Sequence, residues 1–217
     1  MDVSKNPKML RNMKMGGKGK EATVVTLNTE GLRSMVKATI VNVVATASLK
    51  EKIDLEELER FEEFRHDPQV YGGRVAYFKS QSMRGKVIIF SSGKMISVGT
   101  TSEKEAYREL ELAQEFLERE GLVKPRVLQF ETQNIVVVAN LEQKLDFERL
   151  VKTPKIIYEP EQFPGAMVKI AEPYKATILI FASGKAVVTG LKSSSQIEAI
   201  VQELARITDN VNDYERS

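Results

Sequence analysis

Two runs of alternating apolar residues stand out along the chain, VKATIVNVVATAS from Val36 and QNIVVVAN from Gln133. Alternation with a period of two is the signature of a strand. In the first run it places Ile40, Asn42, Val44 and Thr46 on one face and Val41, Val43, Ala45 and Ala47 on the other. The second run likewise groups Asn134, Val136 and Val138. An asparagine thus occupies the same slot of both runs, and it reads either as a donor on display or as a strand-end residue satisfied by backbone. Short helices are predicted next, over Ile53 to Phe61 and Leu145 to Val151, with Asp54 and Asp146 placed to cap them. Each yields to a Pro- and Gly-rich turn and a meander of short strands: Arg74 to Lys79, Lys86 to Phe90 and Met95 to Val98 first, then Ala166 to Ile170, Lys175 to Phe181 and Ala186 to Thr189. Ser92-Gly93 and Ser183-Gly184 supply the tight turns. A long amphipathic helix closes each series. Ser102 with Glu105 forms a capping-box pattern before Ala106, Leu110, Ala113 and Leu117, with Gly121 as the stop; Ser194 precedes Ile197, Val201, Leu204 and Ile207.

The same order of elements twice over is an internal repeat. HDPQVYGGRVAYFKSQSMRGKVIIFSSGKMISVG, from His66, overlays YEPEQFPGAMVKIAEPYKATILIFASGKAVVTG, from Tyr158, when one loop residue is dropped. That overlay pairs Pro68 with Pro160, Tyr71 with Phe163, Gly73 with Gly165 and Phe90 with Phe181. The predicted organisation is a basic, disordered tail over 1–33 with a short extended piece at Thr23 to Leu27, a first repeat over 34–124, a second over 125–208, and a polar tail over 209–217. One apolar stripe per helix covers only one face of the sheet. The other face is also apolar, with Val44, Ile88, Phe90, Ile96 and Val98 matched by Val136, Leu179, Phe181, Val187 and Thr189, and such a surface marks a binding site.

Charge sharpens this picture more than composition does. The net charge of 217 residues is only +2, yet residues 1–20 hold six Lys or Arg against Asp2, leaving a body near −3. Acids gather at Glu51 to Glu63 and Glu103 to Glu120, on predicted helices, while the strands carry Lys and Arg. That segregation suits a nucleic acid on the sheet side, and equally a set of solvated acidic helices. Without cysteine there is no disulfide frame, thiolate metal site or cysteine nucleophile, and the single histidine excludes a polyhistidine metal centre. No Walker or Rossmann glycine loop occurs, so neither an enzyme nor a cofactor is expected. No apolar run is long enough to span a bilayer, and a soluble, non-exported protein with no membrane partner is expected.

The doubled motif, YEPEQFPG followed by LIFASGKAVVTG and its twin IIFSSGKMISVGTTSEKEA, resembles the TATA-box-binding protein family in its short archaeal form, over about residues 36–207. What the resemblance implies is an α+β fold: a pseudo-twofold saddle of two repeats, with a curved ten-stranded antiparallel sheet and helices on the convex face. Family members bind and bend A·T-rich promoter DNA through the minor groove, with a kink of about 80° that is known for the family and not read from this chain. They recruit a TFIIB-like factor and the RNA polymerase assembly, which places the expected site of action in the cytoplasm, on the nucleoid of an archaeal cell. Carried over by motif, the DNA wedges are Tyr71, Phe90, Phe163 and Phe181. The minor-groove floor is Asn42, Val44, Ile88, Ile96, Val98, Asn134, Val136, Leu179, Val187 and Thr189. Backbone contacts fall to Ser92, Lys94, Lys169, Ser183 and Lys185, and partner binding to Glu159, Glu161 and Gln162. A homodimer of the free protein through its concave face is left open.

Departures concentrate in the first repeat. His66 replaces a family tyrosine, Tyr71 a wedge phenylalanine, Gly72 a proline, Tyr77 an arginine and Val98 a threonine; Val137 and Val138 replace a small and a hydroxylated residue of the second repeat. These changes imply a diverged paralogue with weaker or altered DNA binding and unequal halves. The alternative is a regulatory saddle that has lost productive DNA binding and acts on initiation partners.

Overall fold

A computed structural model describes residues 24–28, 35–141 and 145–212. The long first strand expected from the alternation is β2 (Met35–Ser48), and its counterpart β7 (Glu131–Leu141) pairs with it antiparallel at the centre of the sheet. Outward from β2 run β6 (Lys94–Thr100), β5 (Lys86–Phe90), β4 (Val75–Phe78) and the short edge strand β3 (Phe64–His66). Outward from β7 run β11 (Lys185–Leu191), β10 (Thr177–Ile180), β9 (Ala166–Lys169) and β8 (Ile156–Ile157). These ten strands form one antiparallel, saddle-like sheet. β1 (Val24–Asn28) adds an eleventh, paired with the first five residues of β2. Nothing equivalent among the described residues lies beside the start of β7, where Val127 is 94 % exposed.

Helices lie on one face only. α1 (Glu103–Arg119) packs on β2, β5 and β6, and α3 (Ile197–Asn212) on β1, β2 and β7. The core between them and the sheet holds Val43, Ala45, Val87, Ile89 and Met95 in the first half and Ile135, Val137, Ile178, Ala186 and Val188 in the second, all essentially inaccessible. Ser102 caps α1 as its position predicts, accepting from Glu105 N at 3.1 Å. The Glu105 carboxylate, however, returns to the amide of Thr101, one residue before the box position. The closing turn at Gly121 takes φ +71° and lets Leu122 N bond Leu117 O at 2.9 Å. For the second long helix the cap is Ser193, not Ser194: Ser193 and Gln196 form a capping box on a 3-10 turn that leads into α3. The helix runs on to Asn212 with Thr208 and Val211 buried, so residues 209–212 are helical rather than a polar tail. The expected short helices shrink to a 3-10 turn over Glu56–Arg60 and to α2 (Phe147–Leu150), which Asp146 caps. Of the expected tail, residues 1–23 and 29–33 lie outside the described residues, and Val24–Asn28 is a strand.

The alternation needs one correction. Ile40 lies on the helix side with Val36 and Ala38, 2 % exposed, and not with Asn42. Between them Val41 is an extra residue: Ile40 pairs with Val137 and Asn42 with Val136, so Val41 has no partner, turns outward and is 45 % exposed. Such a β-bulge reverses the parity of everything beyond it. Gln133 does the same in β7, between Thr132 and Asn134. The partner strands also bulge opposite, where Gly99 and Gly190 adopt φ of +92° and +96° that a side chain rarely tolerates.

Candidate nucleic-acid interface

Beyond the bulges, the face turned away from the helices carries the residues expected there. Asn42, Val44, Ile88, Ile96 and Val98 from the first half, and Asn134, Val136, Leu179, Val187 and Thr189 from the second, are all half-buried and form a continuous floor across the central strands. Its midpoint is the pair Val43–Ile135, flanked symmetrically by Asn42 opposite Val136 and Asn134 opposite Val44. Both asparagines do the same local work. Asn42 Oδ1 accepts from Gly99 N at 2.9 Å, and Asn134 Oδ1 accepts from Gly190 N at 2.8 Å. The bulge strips those glycine amides of ladder partners, and the side-chain oxygen replaces them. Because the oxygen is committed to an N–H, the amide nitrogen of each asparagine is the end left to donate. The two roles open to these residues therefore coexist: each asparagine is satisfied by backbone, and that satisfaction is what orients its donor. On the second side Thr189 Oγ1 lies 3.2 Å from Asn134 Nδ2 and accepts from it. Val98, at the matching bulge, has no hydroxyl to offer Asn42.

At the outer ends the two halves part. Phe163 and Phe181 meet edge to face, with ring centroids 5.7 Å apart and planes at 64°. Phe163 is placed by a turn in which Glu159 O accepts from both Gln162 N and Phe163 N at 2.9 Å, and it remains 39 % exposed. Gly165 makes the pairing possible, because a Cβ there would lie 2.7 Å from Phe163 Cε1 and 3.1 Å from Phe181 Cε1. Tyr71 and Phe90 are not joined: among the described residues no ring contact links them, and Tyr71 stands 73 % exposed on a turn with φ of +51°. The reason is register. Ile180 pairs with Ala166, which sets Gly165 beside Phe181, whereas Phe90 pairs with Val75. Relative to the second half, β4 is therefore slipped by two residues, and a buried valine fills the space that a glycine leaves open for the other ring.

Packing explains the slip. Phe78 is 1 % exposed, packed at a tilt against Phe64 at 4.9 Å and Phe116 of α1 at 5.5 Å, and Phe61 closes the cluster against Phe116 at 5.2 Å. An aromatic side chain in such a cluster buries enough surface to set a strand's position. Two extra residues are consequently taken up in the turn that carries Tyr71, while the β4–β5 loop is one residue shorter than its counterpart. The overlay of sequences places the difference in that loop instead, and its matches of Tyr71 with Phe163 and Gly73 with Gly165 do not hold in space. By pairing, Tyr77 opposite Ile88 matches Met167 opposite Leu179, and Lys79 takes the place of Lys169.

That turn is held by the one histidine. His66 Nδ1 lies 2.9 Å from Glu59 Oε1 and Nε2 lies 3.0 Å from Gly73 O, with the ring side chain only 3 % exposed. Two acceptors on two ring nitrogens favour the imidazolium, and the bond to the Glu59 carboxylate, then that to the Gly73 carbonyl, raises the His66 pKa above its ordinary value despite burial. Periodicity and motif do not disclose this role, although a lone histidine seven residues before the second of two glycines is a signal that could have found it.

The remaining expected contacts are all exposed or half-exposed. Ser92 and Ser183 sit in the β5–β6 and β10–β11 turns, Lys94 and Lys185 begin β6 and β11 on the floor side, and Lys169 ends β9. Glu159, Glu161 and Gln162 crowd the Phe163 turn, all three exposed. Among the described residues no group of His, Cys, Asp or Glu could hold a metal ion, and no helix is long and apolar enough to cross a membrane.

Comparison with known proteins agrees with this geometry. The family model described as transcription factor TFIID, or TATA-binding protein, matches residues 37–119 and again 129–211. The TATA-box-binding protein of Cenarchaeum symbiosum is 33 % identical over 159 residues, covering 73 % of this chain and 86 % of that protein. That of Methanopyrus kandleri is 34 % identical over 177 residues, covering 76 % and 92 %. Among solved structures, Methanococcus jannaschii TBP superposes with a TM-score of 0.70 at 28 % identity, over 80 % of this chain and 98 % of that one. The chain belongs to the TATA-binding protein family, and with it to non-catalytic transcription factors of that general kind.

Proposed function

We propose that this protein binds and bends A·T-rich duplex DNA through the minor groove and recruits a TFIIB-like factor, with its second half as the principal grip. The Phe163–Phe181 pair standing beside a flat apolar floor is the observation that carries the reading. Aromatic wedges at the end of a sheet replace part of the stacking that a base step gives up when it opens, at a cost of a few kcal/mol per step. The floor of Val, Ile and Leu suits a groove whose A·T pairs present only acceptors and no protruding amino group. Asn42 and Asn134, whose oxygens are taken by the Gly99 and Gly190 amides so that their nitrogens are the ends left to donate, supply the few polar contacts such a groove can take. The exposed Glu159, Glu161 and Gln162 beside the wedge turn form the surface offered to the TFIIB-like factor and, through it, to the polymerase assembly.

Fluorescence bending of a doubly labelled A·T-rich duplex tests this, titrated with the protein at several salt concentrations, with and without the TFIIB-like factor. Salt-sensitive binding coupled to bending, and a supershift abolished on substitution of Glu159 and Glu161 by Ala, is the expected result. Partner binding without any DNA affinity would sink the proposal and leave the regulatory saddle, a reading that the unpaired Tyr71 of the first half favours.

A further inference from the structure

On the floor side of the first half, β3, β4, β5 and β6 surround a depression of about 630 Å³, lined by Arg65, Tyr77, Arg84, Lys86 and the backbone of Gly85 and Gly99. Its base is bare main chain. Gly85 packs so closely that a Cβ would lie 2.2 Å from Val98 O, and its amide donates to Glu109 Oε1 at 2.7 Å.

Cations collect here without partners. Arg65 and Arg84 make no ion pair among the described residues, and Lys86 sets its Nζ 4.5 Å above the Tyr77 ring. Lys79, which by pairing takes the place of Lys169, is different: its Nζ donates to the carbonyls of Met83 and Arg84 at 2.8 and 2.7 Å, and also to that of Gly85. A lysine with all three protons given to loop carbonyls has none left for a ligand. In the second half Lys169 is exposed, Thr177 stands where Lys86 does and Ile157 where Arg65 does. Glu62 and Glu63 line the outer rim, neither within ion-pair distance of the three free cations, and with Lys79 counted the lining keeps two positive charges in excess.

Like charges gathered in excess of their counter-charge raise the energy of the free protein and await an anion. We infer that Arg65, Arg84 and Lys86 form a phosphate-binding cradle around Tyr77 that takes the DNA backbone in the first half, replacing the grip that Lys79 gives up to its own loop. A phosphate there meets a bidentate guanidinium donor on β3, a second from the loop and an ammonium steadied by the Tyr77 face. This inference rests on the DNA-binding reading above and adds the residues through which the first half holds on.

The slope of log K against log salt tests it, since removing the partner of one phosphate lowers its magnitude by about 0.9. Expected is a drop of roughly one for the Arg65→Ala/Lys86→Ala double variant, which strips the one phosphate of two of its three cations, and a smaller drop for either single variant, with the affinity at about 50 mM salt falling several-fold. Lys169→Ala serves as the second-half reference with a similar single drop, and Lys79→Met, which releases the loop, leaves the slope as it was. A wild type without DNA affinity defeats the function proposed above. A wild type that binds, with an unaltered slope in the Arg65→Ala/Lys86→Ala variant, overturns the cradle alone. So does a variant that keeps the slope but no longer binds the TFIIB-like factor, because the patch is then a protein contact. Circular dichroism melts confirm that the variants fold, as expected for exposed side chains.

Discussion

Across from Phe181 stands Gly165, and across from Phe90 stands Val75. From that one difference follow the paired wedge of the second half and the outlying Tyr71 of the first. The centre, by contrast, is nearly symmetric, with two bulges, two glycines and two asparagines in matching roles. What the contrast teaches is that the middle of this sheet is fixed by hydrogen-bond necessity and tolerates little change. The outer strands are held by side-chain packing, which a cluster such as Phe61, Phe64, Phe78 and Phe116 can resettle by two residues without breaking the fold.

The strongest break of the comparison is aromatic removal. Phe163→Ala or Phe181→Ala should weaken binding to an A·T-rich duplex by about 2 kcal/mol, roughly 30-fold, and reduce the bend, since one stacked base is worth about 1–3 kcal/mol. Tyr71→Ala should cost less than about threefold, because its ring has no companion to present it. Equal losses from Tyr71→Ala and Phe163→Ala in a fluorescence bending titration would show that the first half forms its pair on DNA and that the register difference has no functional weight.

Gly165→Ala probes the same site through space alone. The added methyl meets Phe163 Cε1 at 2.7 Å, so the ring must leave, and we expect about tenfold weaker DNA binding with at most about 1–3 kcal/mol of destabilisation. Gly73→Ala, whose nearest neighbour would be Pro68 Cα at 3.4 Å, introduces strain at a φ of +69° instead. It should therefore lower the melting temperature more than it changes DNA affinity.

A smaller effect separates the halves by pH. His66 holds the Tyr71 turn, and its counterpart Tyr158 meets Phe147 edge to face at 5.3 Å. With a folded pKa raised above the unfolded value of 6.5, the bond contributes stability fully below pH 6.5 and loses it as pH rises through the folded pKa. The charged groups facing the ring are Glu59 and Glu56 from the preceding 3-10 turn, with the Gly73 carbonyl on the other side. Glu59 is half exposed, so about 1 kcal/mol or less is at stake. Urea melts at about pH 6 and at successively higher pH should diverge for wild type and coincide more closely for His66→Gln. An NMR titration of the only histidine should give a pKa above 6.5. Turn protection should fall with rising pH in hydrogen exchange, while the Phe163 turn stays unchanged.

Much of the fold is legible in the chain itself, and the limits have physical causes. The alternating strands, the helix caps at Ser102 and Asp146, and the second apolar face follow from periodicity and local hydrogen-bond chemistry, which the chain carries within a few residues, whereas the ten-stranded saddle and the full set of floor residues come from the family resemblance. Ile40 falls on the wrong face under strict alternation because that pattern assumes no bulge, and Val41 gives no sign of being the extra residue; its partner signals, Gly99 and Gly190, lie far away in sequence. The slip of β4 is hidden for a related reason. Overlaying two repeats rewards matching letters such as the glycines at 73 and 165, while the register obeys the burial of Phe78 against Phe116 of a helix well downstream. The commitment of Lys79 to its loop is likewise a contact in space that no motif records.

The finest test works at the dyad, where the halves differ by one hydroxyl. Thr189 accepts from Asn134 Nδ2 at 3.2 Å and can itself turn toward Asn134 Oδ1 at 3.3 Å, whereas Val98 gives Asn42 no such neighbour. Threonine is close to valine in shape, so Val98→Thr adds an oxygen to a half-exposed position without crowding it. The new hydroxyl would fix the Asn42 amide as Thr189 fixes Asn134 and bring one more donor to groove acceptors. A gain below about 1 kcal/mol, or roughly two- to fivefold in affinity, is expected, because a net hydrogen bond is worth about 0.5–1.5 kcal/mol and water competes for this one. Thr189→Val should weaken binding by a similar factor. In the exchanged double variant the two changes should nearly cancel in affinity, since the groove offers acceptors to either side of the dyad. If the exchange instead costs far more than the single changes together, the centre is not the symmetric element that its bulges and asparagines describe.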